Sequence, residues 1–168
     1  MARSAYPVRE TNMSITARLD ELGLTLPPPP APVASYLPSL AVPPNTALIC
    51  ISGQIPIENG HPVATGQVPG EVPLDRARAL AERCTLQALS ALQAQIGDLD
   101  RLIQTVRLEG FVACHPGFGE HPAVINGASE LLETILGERG RHARMAVGVP
   151  SLPLNVPVEI AFIFAVKM

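Results

Sequence analysis

A chain of 168 residues, 47% hydrophobic and only 16% charged, can bury roughly 70% of its unfolded surface in one domain without a disulfide or metal staple. Its net charge of −3 and lack of a long basic run argue against a dedicated nucleic-acid binder. Cys50, Cys84 and Cys114 give no disulfide framework and point to a reducing, cytoplasmic setting, and no stretch approaches the ~18 uninterrupted apolar residues of a membrane span.

Residues 1–12 carry no apolar run of the secretory type and read as a disordered or tag-like extension, leaving one domain over 13–168. Ser14 can cap a short helix over 15–22 that Gly23 closes. The four prolines 27–30 exclude helix and central strand, so this stretch reads as a stiff extended connector. "TALICISGQ", residues 46–54, is an apolar strand. Turn signals follow over 55–72, including Asn59-Gly60. Pro73 then opens a long helix reaching Ile96, with Gly97 as its stop. The small residues Ala77, Ala81, Cys84, Ala88 and Ala91 recur at helical spacing and predict close packing on a sheet. Residues 100–114 read as a strand, with Leu102, Gln104, Val106 and Leu108 alternating against Ile103, Thr105 and Arg107. A second helix is expected over 118–136, burying Ala128, Leu131, Leu132 and Ile135. Two apolar strands complete the chain.

This order predicts an α+β domain: a single mixed β-sheet with two helices packed on one face. In the last strand Val158, Ile160, Phe162 and Phe164 share one face, and Glu159, Ala161, Ile163 and Ala165 share the other. Two helices can cover only one of these faces, so self-association is expected to cover the other.

Arg144 and Glu159 are the charges that interrupt this apolar region. A carboxylate among apolar neighbours is costly unless paired or hydrogen-bonded. Arg144 shares its side of the strand with Ala146 and Gly148, which predicts open volume beside a permanent cation. A guanidinium fork next to such volume suits a ligand carboxylate. An internal Arg144–Glu159 ion pair is the structural alternative.

"SGQIP" at 52–56, "VINGASELL" at 124–132, "HARMAVGV" at 142–149 and "PLNVPVEI" at 153–160 occur in an order and spacing that resemble the Rid/YjgF family. The likeness runs from about Leu26 to Val166. It implies a chorismate-mutase-like fold, a homotrimer with ligand clefts between subunits, and the hydrolysis of reactive enamines and imines to 2-keto acids and ammonia. It puts substrate-carboxylate binding on Arg144 and the water-positioning acid on Glu159. Tyr36, Ser52, Gly53 and Asn126 become further cleft residues, and Ala146 supplies an anchoring backbone N–H. No metal or organic cofactor is implied, and the small-molecule partner is a 2-imino or 2-keto acid. Two positions depart from the deaminating pattern. Ala146 stands where a cysteine is frequent, and Met145 replaces a polar residue. A non-catalytic trimeric binder of small carboxylates is therefore the alternative reading.

Other polar clusters read more plainly. Cys114, His115 and His121 are too few and too irregular for a structural zinc pattern and are taken as loop residues. Cys50 and Cys84 fall in a strand and a helical stripe, as packing thiols. Arg139, Arg141, His142 and Arg144 cluster after the second helix, where they can complement its C-terminus. RNA is the rival partner for this cluster. The acidic total, with two Tyr, four Phe and no Trp, argues against it.

Overall fold

The structure, a computed structural model, describes residues 15–23, 25–26, 41 and 45–167. The 1–12 extension, the Ser14 cap, the proline run and Tyr36 lie outside the described residues. In chain order the elements are α1 (Ile15–Glu21), β1 (Thr46–Gln54), β2 (Ile57–Glu58), β3 (His61–Pro62), α2 (Leu74–Ile96), β4 (Leu102–Ala113), α3 (His121–Leu136), β5 (Ala143–Val149) and β6 (Val158–Lys167). The chain divides into units Met1–Pro30 and Ala31–Met168. In the first, α1 ends where Gly23, at φ 66°, donates its N–H to Asp20 O (3.0 Å). All other named elements belong to the second.

The period-two pattern of β6 fixes the sheet. Val158, Ile160, Phe162 and Phe164 are all buried, and the rings of Phe162 and Phe164 stack with centroids 5.8 Å apart. Being apolar on both sides, β6 sits inside the sheet, antiparallel to β1 on one flank and to β4 on the other. β5 adds in parallel to β4, giving the order β1-β6-β4-β5. Asn59 and Gly60, both at positive φ, turn the small β2–β3 hairpin. The result is a mixed α+β fold with one main sheet, as the sequence predicts.

α2 runs from just after Pro73 to Gly97 as expected, and Ala77, Ala81, Cys84 and Ala88 are fully buried. Burial pushes the Cys84 thiol up to about 12, so this sulfur is packing and not chemistry.

Three expectations need correction. Cys50, expected with Cys84 as a packing thiol, is exposed on β1, the edge strand of the sheet. β4 does not alternate evenly. Irregularities between Leu102 and Gln104 and between Thr105 and Arg107 turn Leu102, Thr105 and Leu108 all inward. α3 begins at His121, not 118, because Gly117 adopts φ 86° and Pro122 is suited to a first helical turn. Its buried side is Val124, Ile125, Ala128 and Leu132; Leu131 is half-buried and Ile135 is 47% exposed. The stripe is rotated because Gly127 lies directly against the backbone carbonyl of Arg78 on α2.

That contact is testable. In an exposed helix Gly→Ala stabilises by about 1 kcal/mol. At position 127 the new Cβ meets α2 backbone, so Gly127→Ala is expected to destabilise by about 1–3 kcal/mol instead. The urea midpoint at matched protein concentration checks the sign.

Candidate functional site

Arg144 is held by α3. Its Nη1 donates to Ser129 Oγ (2.8 Å), and its Nη2 to Asn126 Oδ1 (2.8 Å) and, at longer range, to Pro122 O (3.4 Å). Residues 122, 126 and 129 recur at helical spacing, so one face of α3 presents all three acceptors. Behind them lies His142, only 1% exposed. Its Nδ1–H donates to Gly140 O (2.6 Å), which leaves Nε2 to accept the Ser129 O–H (3.0 Å). Arg144, Ser129, His142 and Gly140 thus form one directed chain of hydrogen bonds. Burial holds the His142 imidazole below the ordinary histidine range. The bond to Gly140 O opposes this, and the charge of Arg144 adds to it.

Glu159 stands elsewhere. In the sheet register Arg144 pairs with Leu108, and Glu159 with Phe111. Three residues separate those partners on β4, so the two charged side chains leave opposite faces of the sheet. The ion pair considered from the sequence is therefore not the arrangement within one chain. The Glu159 carboxylate instead lies over Gly53, where a Cβ would collide with it. Gly53 and Ser52 form the irregular stretch of β1 between Ile51 and Gln54. Ser52 lines a cleft of about 430 Å3 beside Ala91 and Gln95 of α2.

The expected site residues thus form two groups, one at the β5 edge of the sheet and one on β1 and its inner neighbour β6. Arg144, Asn126 and Ala146 belong to β5 and α3; Ser52, Gly53 and Glu159 belong to the β1–β6 side. Three inter-strand spacings, roughly 14 Å, separate the edge strands.

The volume expected beside Arg144 also needs correction. Gly148 is small because His121 Nε2 and Cys114 Sγ occupy the space that its side chain would fill. These two atoms approach to 3.4 Å. They open into a cleft of about 540 Å3, bounded by residues 114–118, His121, residues 148–150 and Gln67. Cys114 and His121 are seven residues apart on an irregular loop, so periodicity carries no sign of their meeting. The sequence reading also missed Ser129; its only signal is its spacing of three from Asn126.

The family model described as "YjgF/chorismate mutase-like, putative endoribonuclease" matches residues 16–166. The chain belongs to the Rid/YjgF family. The chain is also similar to Protein TCP17 of Trypanosoma cruzi, 39% identical over 147 residues, covering 87% of this chain and 90% of the relative. A crystal structure of an Agrobacterium tumefaciens protein of unknown function is 43% identical, with a TM-score of 0.71, covering 90% of this chain and 91% of that one. A "putative endoribonuclease" of Shewanella oneidensis is 34% identical, with a TM-score of 0.68 and coverage of 89% and 97%. The Rid/YjgF resemblance drawn from the sequence motifs is thereby established, and with it the fold.

The His142 chain gives this Rid/YjgF protein a definite pH response. A histidine kept neutral by folding binds fewer protons in the folded than in the unfolded chain. Its contribution is full above the unfolded pKa near 6.5 and is lost as pH falls below that value. Stability is expected to decline between pH 7 and 5.5 with a slope of at most about 1.4 kcal/mol per pH unit from this group. His142→Gln should flatten the slope in urea unfolding measured across that range.

Proposed function

We propose that this protein hydrolyses small 2-imino acids to 2-keto acids and ammonia, in a cleft completed only when two copies meet. The observation that carries the reading is the division of the site. The β5 edge of the sheet presents an oriented guanidinium, and toward the β1 edge the inner strand β6 lays a carboxylate over Gly53. A head-to-tail contact of the β5 edge of one copy with the β1 edge of the next would bring Arg144 to Glu159. Such heterologous contacts close into rings, of which a trimer is the small case. The same assembly would cover the sheet face on which Leu48 is 53% exposed and Ile163 is half-buried.

In this mechanism a substrate carboxylate replaces the long contact of Arg144 to Pro122 O. Ser129 and Asn126 keep the fork in its plane, which fixes the position of the imine carbon. Water adds to that carbon as Glu159 takes its proton. Glu159 passes that proton to the imine nitrogen, and the carbinolamine hydroxyl proton follows by the same carboxylate as the C–N bond breaks, giving the keto acid and ammonia. Gly53 leaves room for the carboxylate, and Ser52, Tyr36 and the Ala146 N–H would orient the substrate. No cofactor enters the scheme.

A carboxylate-binding role without turnover is favoured by two features, the lack of a thiol at Ala146 and the apolar Met145 beside Arg144. RNA cleavage is disfavoured by the fate of the basic cluster. Arg139 donates to Leu102 O (3.0 Å), Arg141 to Glu138 Oε2 (3.3 Å), and His142 is buried. Among the described residues this cluster leaves no continuous cationic strip for phosphates.

The test is a coupled assay in which an amino-acid oxidase supplies fresh imine and keto-acid release is followed. Glu159→Gln should lower the rate by about 10²–10⁴-fold while retaining keto-acid binding. Arg144→Lys should weaken that binding. Each variant alone should be impaired, yet mixed trimers of the two should recover activity in those clefts that receive both native residues. Full activity of Glu159→Gln, or a stable monomer by light scattering, would sink the reading.

A second expectation concerns position 53. Gly53→Ala drives a methyl group into the Glu159 carboxylate, and a displacement near 1 Å can cost about 10²-fold in rate. Assayed beside the parent protein, the variant should lose turnover with little change in its melting temperature.

A further inference from the structure

Three features stand apart from the proposed imine site: the apolar sheet face, the buried Ser129–His142 chain, and the Cys114–His121 pair. The first two are already absorbed by assembly and by stability. The third has no role in imine hydrolysis, yet it is built with care. Cys114 follows β4, and its N–H donates to Val149 O (3.0 Å), which fixes the thiol at the end of the parallel β4–β5 pair. His121 is the first residue of α3. Phe118 packs edge-on against its ring, with centroids 5.1 Å apart and an interplanar angle of 82°. Gly148 omits the side chain that would separate sulfur from nitrogen. Gln67 Nε2 donates to Pro150 O (2.6 Å) and so ties the far wall in place.

We propose that Cys114 and His121 form a nucleophilic thiol site that captures small neutral α,β-unsaturated carbonyl compounds by conjugate addition. His121 Nε2 accepts the thiol proton across the 3.4 Å gap. Sulfur forms a bond to the β-carbon, and the C=C π electrons shift to the carbonyl as an enolate. The imidazolium returns its proton to the α-carbon. Nothing leaves and nothing is oxidised, so no co-reactant is needed.

The surroundings select this electrophile class. No Arg or Lys is among the described residues lining the cleft, so it offers no anchor for a carboxylate or phosphate. Acyl transfer would need free N–H donors at the developing oxyanion. Five N–H groups around the cleft are already committed: Cys114 N–H to Val149 O, His115 N–H to Val68 O, Phe118 N–H to His115 O, and the Ala123 and Val124 N–H groups to Glu120 O. Conjugate addition disperses the charge and quenches it with the proton held by His121. A cleft of about 540 Å3 admits molecules of this size readily.

The test uses the full chain with N-ethylmaleimide, a neutral conjugated carbonyl, and iodoacetate, an anionic alkylating agent, read by mass spectrometry at each cysteine. N-acetylcysteine in the same solution is the reference thiol. Cys114 should react with the maleimide roughly tenfold or more faster than the reference at pH 7, and should show a much smaller advantage toward iodoacetate. His121→Gln should bring the maleimide rate at Cys114 down to the reference or below. If the variant does not fold, the comparison of the two reagents on the parent protein stands alone. The idea fails if Cys114 reacts no faster than the reference, if it prefers the anion, or if folded His121→Gln keeps the full rate.

Discussion

The close approach of α3 to the sheet and to α2 is the constraint on which the rest depends. It exists because side chains are missing at the points of contact. A Cβ on Gly110 would strike Ile125, one on Gly127 would strike the Arg78 carbonyl, and one on Gly148 would strike His121 and Cys114. With α3 that near, Arg144 on β5 reaches Asn126 and Ser129, and His121 reaches Cys114. A helix displaced by even a methyl group would loosen both arrangements, because packed interiors transmit such changes instead of absorbing them.

The same helix face therefore serves two chemistries. Toward its middle, Asn126 and Ser129 accept hydrogen bonds from a permanent cation, and the buried neutral His142 continues the chain to Gly140 O. That network is polar and directional, and its members orient one another. At the N-terminal end of α3, a thiol and an imidazole meet in a cleft whose described lining holds no Arg or Lys. The first arrangement suits an anion; the second suits a neutral carbon electrophile. Arg144 connects the two through its contact to Pro122 O, the residue next to His121.

The sheet order explains why one chain holds only halves of the proposed imine site. Arg144 belongs to the β5 edge, and Gly53 to the β1 edge. Strand pairing places the β6–β4 pair between these edges, and side-chain alternation turns Glu159 to the face opposite Arg144. The irregular stretch at Ser52 and Gly53 then gives the carboxylate a place to lie.

The sequence by itself determined the element order, the helix termini at Pro73 and Gly97, the buried face of β6 and the family motifs. Each of these follows from periodicity, backbone-restricted residues or short contiguous strings, all of which are local. It misjudged β4, where two irregularities break the alternation, and the rotation of α3, which contact with α2 decides. It also took Gly148 as space beside Arg144, although a cysteine and a histidine fill that space. Whether Arg144 and Glu159 share a face depends on the pairing of three strands that are distant in the chain. The meeting of Cys114 with His121 depends on a glycine in β5. Such facts belong to tertiary structure because alternation sets only the faces within one strand, while inter-strand register and helix packing decide which side chains converge.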